Sequence, residues 1–213
     1  MGTTTAATIR KQFAFLAELD QLKSVIRQSP LINRTRCENS AEHSWHLAMF
    51  ALVLSQHADG VNPLEVAMLL LLHDIVEIDA GDTPIHAPAR DMTVLKQEEL
   101  AAATRIFGLL PEPQGRILLA LWKEFEAGET PNARFAKALD RLQPLLLNTL
   151  TDGGTWTQNN VTEQQVMDRY GPVIDGSSKA LWGEAAALVH NHFSKHKELA
   201  SLVKDSPPDT TEK

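Results

Sequence analysis

With 213 residues, 43% of them hydrophobic and 22% charged, the chain has the make-up of a soluble globular domain large enough to bury a substantial core. Its net charge of −7 argues against a general nucleic-acid or anionic-membrane surface, although a local pocket can still take a small anionic substrate. The single cysteine, Cys37, excludes an internal disulfide; with no signal-like start and no run near the ~20 apolar residues that span a bilayer, a cytoplasmic protein is expected.

The elements read as helix after helix. Apolar residues at Ile9, Phe13, Leu16, Leu19, Leu22 and Val25 recur every three to four positions and predict an amphipathic helix over about 6–27. Residues 28–39, with Pro30 and few periodic apolar positions, predict a loop. Ser40 suits the N-cap of a second helix reaching about 58. A turn over 60–63 leads to Pro63, well placed to open a third helix that runs to about Asp79 and ends at Gly81. Gly81, Pro84 and Pro88 mark a loop over 80–91. Further helices are predicted near 93–108, 112–127 and 131–150, a turn at Asp152-Gly153-Gly154-Thr155, and two last helices near 162–170 and 177–202. The tail from Lys204, containing Pro207-Pro208, is expected to be disordered. No internal repeat or strand pattern of useful length stands out, so the expected class is all-α, with one domain over 1–203.

The most informative polar residues are His73-Asp74, which directly follow Leu69-Leu70-Leu71-Leu72. Burying either without a partner costs several kcal/mol, and a bound divalent cation is the simplest way to hold both. At roughly 100° per residue, His73, Asp74 and Glu77 crowd one arc of the third helix beside Leu69, Leu72 and Val76. Standing alone, that cluster reads equally well as a core-edge histidine with solvated acids. Two further positions shift the balance. His43 lies in the first turn of the second helix, and Asp140 falls on the flank of the stripe Leu139, Leu142, Leu146 and Leu150, where an acid needs compensation.

The order His43 … His73-Asp74 … Asp140 resembles the HD-domain phosphohydrolases, helical proteins whose metal ligands are spread in that pattern. The segments Glu38-Asn-Ser-Ala-Glu-His-Ser-Trp45, His73-Asp-Ile-Val-Glu-Ile-Asp-Ala-Gly-Asp-Thr-Pro84 and Leu121-Trp-Lys-Glu-Phe-Glu126 are similar to the 5′-deoxynucleotidase branch, and the likeness spans roughly 15–150. It implies an HD-domain helical bundle in which His43, His73, Asp74 and Asp140 bind one divalent metal. Cobalt, manganese, magnesium, iron, nickel and zinc all suit such a mixed ligand set. It further implies that Glu77 positions or deprotonates the attacking water, and that Asp82 acts as acid/base or braces the ligands. Attack would be in line on phosphorus, with the nucleoside 5′-oxygen leaving. Close relatives are homodimers, so a homodimer acting on a small nucleotide, without nucleic-acid or membrane partners, is expected.

The branch carries an arginine and a tryptophan before the first ligand. Arg27 stands near the arginine's place as a phosphate fork, with Arg34 and Arg36 as rivals, while the tryptophan is replaced around Ser29 or Pro30. Glu124 is a candidate sugar contact, or equally a surface salt bridge. His46 reads as a core residue or a support for the ligands. His86 is the only histidine between Asp74 and Asp140, which favours a single-metal phosphomonoesterase over a two-metal phosphodiesterase. His190, His192 and His196 read as solvated residues of a terminal helix rather than a second metal site. Two alternatives stay open: another small phosphate ester or nucleoside triphosphate as substrate, and a non-catalytic HD binding module.

Overall fold

A computed structural model describes residues 2–87 and 91–204; the expected disorder beyond Lys204, and the side chain of His196, lie outside the described part. Among the described residues the chain forms ten α-helices and one short antiparallel ribbon, as the all-α expectation requires. None of these helices is long and apolar enough to cross a membrane.

Helix α1 (Gly2–Leu19) stops earlier than its apolar spacing predicts. A 3₁₀ turn over Asp20–Ser24 follows, and Val25 is already extended. The predicted loop contains the ribbon, β1 (Ile26–Pro30) and β2 (Cys37–Asn39), with Ile26 opposite Asn39 and Pro30 opposite Cys37. Strands this short carry no readable alternation. The pairing depends on the turn between them, where Arg34 takes a left-handed φ of 58° and its amide bonds the Leu31 carbonyl. The ribbon sets Arg27 on a rigid strand rather than on a helix end or a loose loop.

Helix α2 (Ser40–Leu54) is capped one residue before the expected position. Asn39 accepts from the Glu42 amide and the Glu42 carboxylate accepts from the Asn39 amide, a reciprocal pair that satisfies two orphan donors. The Ser40 hydroxyl is thereby released for another use. Helix α3 (Pro63–Leu72) begins with proline behind an Asn62 cap, as predicted. The predicted regular helix to Asp79 is instead interrupted: His73–Val76 form a 3₁₀ turn, and only then does α4 (Glu77–Ala80) resume, ending at Gly81 with φ 73°. In the 3₁₀ turn the Glu77 amide bonds the carbonyls of Asp74 and Ile75 rather than that of His73. The His73 carbonyl also accepts from the Trp122 indole at 3.2 Å. Periodicity could not show this, because the indole comes from a distant helix.

Helices α5 (Met92–Phe107), α6 (Gln114–Ala127) and α7 (Pro131–Leu150) lie close to their predicted ranges. The predicted turn at Asp152 continues into an unforeseen short helix α8 (Gly154–Gln158). Helix α9 (Glu163–Asp175) runs past Tyr170 and through Pro172, and α10 spans Lys179–Lys204. On α7 the stripe differs slightly from prediction. Leu139, Leu142 and Leu145 are buried, but Leu146 is half-buried and Leu150 exposed, because the buried face at the end of the helix passes through Leu147 and Asn148 instead.

Two apolar clusters result. One joins α2, α3, α7, α9 and α10 around Leu47, Leu70, Leu139, Trp156 and Tyr170. The other joins α1, α5 and α6 around Phe15, Ile106, Phe107 and Trp122. Leu69 and Leu70 belong to the first cluster, while Ile75 and Val76 belong to the second. His73 and Asp74 therefore stand at the seam. Each flanking leucine or isoleucine contributes roughly 1.5–3 kcal/mol by burial, enough to hold the polar pair between the clusters.

Candidate metal centre

Three helical segments bring the predicted ligands together. His43 arrives from the first turn of α2, His73 and Asp74 from the 3₁₀ turn, and Asp140 from the middle of α7. One ligand atom each from His43, His73 and Asp140 lies within 4.8 Å of the others. Asp140 Oδ1 is 3.1 Å from His43 Nε2 and 3.6 Å from His73 Nε2. Asp74 completes the ring, with Oδ1 3.0 Å from His73 Nε2 and Oδ2 3.8 Å from His43 Nε2.

The hydrogen bonds behind the rings decide which nitrogens are free. His73 Nδ1 lies 2.7 Å from the Leu70 carbonyl, which can only accept, so Nδ1 carries the proton and the neutral ring's lone pair is on Nε2. His43 Nδ1 is 3.1 Å from Gln143 Oε1. Gln143 is oriented that way because its amide nitrogen donates to Glu38 at 2.9 Å. Both neutral imidazoles thus aim an Nε2 lone pair at carboxylates, which cannot donate. His73 Nε2 is buried and has no aligned hydrogen-bond partner. Two lone pairs facing two carboxylates repel unless a cation lies among them, and the donor set of two imidazoles and two carboxylates fits a divalent metal ion.

The electrostatics agree. Burial alone would lower the pKa of His73, but Asp74 and Asp140 outweigh it and raise it to about 10. For His43, burial and Arg27 pull downward, and Asp140 and Glu38 overcome them. Burial pushes Asp140 upward, yet its bonds to His43 and His73 hold it well below the usual carboxylate range. The acids demand positive charge at Nε2, where a proton and a metal ion compete for one lone pair.

Arg27 enters from β1. Its Nη1 is 3.1 Å from Asp74, 3.2 Å from Asp82 and 3.7 Å from Glu77, and its Nε is 3.5 Å from Glu38. The two rival arginines are engaged at the surface, Arg34 with Asp152 and Arg36 with Glu42. Glu77 is half-buried, and its Oε2 accepts from the Ser40 hydroxyl at 2.5 Å, the use released by the cap at Asn39. Burial and then the Asp74 charge raise the Glu77 carboxyl to about 8, against the pull of Arg27. Asp82 is also raised, first by burial, with Arg27 opposing. Two clefts open onto this cluster and share Asp74, Glu77, Asp140 and Arg141. One of about 130 Å³ is lined by Arg27, Gln28, Ser29, His86 and Tyr170; the other, of about 560 Å³, by Lys96, Phe125, Lys137 and Arg169.

Glu124 is placed elsewhere. It lines neither cleft, and its carboxylate accepts from the Thr130 hydroxyl at 2.6 Å, steadying the N-cap of the helix that carries Asp140. His46 supports the centre from behind, its Nδ1 3.3 Å from the Gln143 amide. His86 lies in the smaller cleft, 3.2 Å from the Tyr170 hydroxyl, and burial with Arg169 and Arg141 lowers it to about 4. His190 pairs with Glu163 at 3.0 Å, and His192 packs edge-on to Trp156.

The residues that sequence reasoning missed are Gln143, Glu38 and Ser40. The signal for Gln143 was present: it lies three residues after Asp140, within an otherwise apolar stretch, and it is fully buried. Gln143→Leu should weaken metal binding 10–100-fold, as loss of a partner behind a ligating histidine does, while leaving the helical fold in place. Competition with a chromogenic chelator reads the affinity, and an unchanged value would remove Gln143 from the centre.

A family model described as "HD domain" matches residues 19–182. Human 5′-deoxynucleotidase HDDC2 is 31% identical over 153 residues, covering 68% of this chain and 73% of its own length. The 5′-deoxynucleotidase YfbR of Escherichia coli is 32% identical over 110 residues, covering 48% of this chain and 55% of its own. A crystal structure from Magnetospirillum magnetotacticum MS-1, described as a "Predicted metal-dependent phosphohydrolase", superimposes with a TM-score of 0.83 at 48% identity, covering 89% of this chain and 97% of that one. With the ligand order, the helical architecture and the family match in agreement, this chain belongs to the HD-domain family.

Proposed function

We propose that this protein is a metal-dependent phosphomonoesterase that removes the 5′-phosphate from deoxynucleoside monophosphates. The observation that carries the reading is the convergence of two imidazole lone pairs and two carboxylates beneath a cleft that also holds a half-buried arginine. Relatives named 5′-deoxynucleotidase support the substrate class. His43, His73, Asp74 and Asp140 would hold one divalent ion, which when bound makes water more acidic and neutralises charge on a phosphate. Arg27 forks onto the substrate's phosphate oxygens and orients phosphorus for in-line attack. Glu77, fixed by Ser40, takes the proton of the attacking water. Asp82 braces Arg27 and stands as the acid for the leaving 5′-oxygen. We assign the chain to the cytoplasm, as one domain over 1–203, acting as a homodimer.

A second reading, a substrate with more phosphates, is favoured by one observation: Lys96, Lys137, Arg141 and Arg169 all line the larger cleft. One experiment separates the two. Phosphate release is measured on deoxy- and ribonucleoside monophosphates and on deoxynucleoside triphosphates, each with manganese, cobalt, zinc and magnesium. The expected kcat/KM for deoxynucleoside monophosphates exceeds the others at least about tenfold, a difference of about 1.4 kcal/mol in the transition state. Faster turnover of triphosphates would favour the second reading, and no release from any substrate would sink both.

A further inference from the structure

Helix α2, which carries His43, and helix α3, which leads into His73, have an unusual outer face. All four exposed positions of α2 are large and apolar: Trp45 at 62%, Met49 at 40%, Leu52 at 47% and Val53 at 61%. On α3, Leu64, Met68 and Leu71 are exposed at 66%, 44% and 48%, and Glu65 is the only exposed polar residue of that helix. The spacings 45, 49, 52, 53 and 64, 68, 71 each trace one stripe along a helix. Each stripe lies opposite the side that buries Leu47 and Ala51, or Val66 and Leu70.

The helices are joined by a short connection and pack side by side, so α3 returns antiparallel to α2. The two stripes therefore run in opposite directions, Val53 and Leu64 toward the connection and Trp45 and Leu71 toward the far end, and together they form one apolar face. The charged groups stand at its ends. Glu42 pairs with Arg36 at one end, and Glu65 bonds Asn62 and Asn132 at the other. From their exposures, the seven apolar residues present roughly 700 Å² to solvent, more than the largest patch of an ordinary monomer.

We infer that this face is where a second copy of the chain docks, hairpin on hairpin about a two-fold axis. The inference rests on the homodimer reading above and adds the surface to it. A two-fold interface must be self-complementary, and a face with an apolar centre and hydrogen-bonded polar ends meets that condition. Its area is close to the ~800 Å² per partner that a standard stable interface buries. Trp45 and the two methionines are residue types enriched in the centres of such interfaces. Because His43 projects from the other side of α2 and His73 follows directly on the end of α3, docking would also clamp the metal platform from behind.

Sedimentation velocity on the full chain from about 0.1 to 100 μM tests this. Wild type should sediment as a dimer. Met49→Glu and Met68→Glu each bury a charge at the centre and should raise the dimer dissociation constant at least 100-fold. Both positions face solvent in the free chain, so circular dichroism should show an intact fold and metal content should be kept. Phe13→Glu, on the exposed face of α1, is the comparator and should stay dimeric. A monomeric wild type would sink both the homodimer reading and the surface. A dimer that survives Met49→Glu and Met68→Glu, or one broken by Phe13→Glu alone, would leave a homodimer standing and overturn the assigned face.

Discussion

Asp140→Ala should lose its metal and its phosphatase activity together. Asp140 Oδ1 is the oxygen toward which both Nε2 lone pairs point, at 3.1 and 3.6 Å, so its removal deletes the shared centre of the ligand ring. Loss of a partner behind a ligand typically costs 10–100-fold in affinity, and loss of a ligand itself should cost more than about 100-fold. Elemental analysis after dialysis should show wild type near one metal per chain and the variant near none, with phosphate release at background. The helices should persist, because Asp140 sits on the flank of α7 while Leu139 and Leu142 carry the packing. A variant that retained stoichiometric metal would show that the ion sits elsewhere, and a binding module without catalysis would then deserve renewed weight.

Glu77→Gln should separate metal binding from turnover. The amide keeps the shape of the side chain and can still accept from the Ser40 hydroxyl, but it cannot take a proton. Removing a positioned general base costs about 10²–10⁴-fold, so kcat should fall by that factor while metal content and KM stay near wild type. Glu77 also faces Arg27 at 3.7 Å, so a variant that raised KM alone would reassign Glu77 to holding the arginine. Activity within about threefold of wild type would show that the water is activated by some other group.

Much of the centre was legible because it rests on local chemistry. His73-Asp74 after four leucines, and Asp140 beside Leu139 and Leu142, are polar residues in places where burial demands a partner. The helices were legible from the same apolar spacing. What escaped was set by tertiary structure. The ribbon that carries Arg27 is too short for a pattern of its own and exists because Leu31, Arg34 and Arg36 close its turn. The cap moved from Ser40 to Asn39 because Glu42 completes a reciprocal pair with Asn39, which left the Ser40 hydroxyl for Glu77. Gln143 gains its meaning only when α2 and α7 meet and bring His43 and Glu38 to its two ends. Glu124 gains a partner the same way: it accepts from the Thr130 hydroxyl at the cap of α7, a contact no local pattern announces.

The 3₁₀ turn at His73–Val76 determines more than a local irregularity. In an α-helix, residues three apart share one arc but are offset by about 60° around the axis. In a 3₁₀ turn, residues three apart eclipse and stand about 6 Å apart along the axis. The tighter winding therefore stacks a proposed metal ligand directly beneath the proposed proton acceptor, both on the side that faces Arg27. The placement of Glu77 relative to Asp74 thus starts from backbone pitch, with the Trp122 indole bonded to the His73 carbonyl behind the turn and the Ser40 hydroxyl fixing the Glu77 carboxylate.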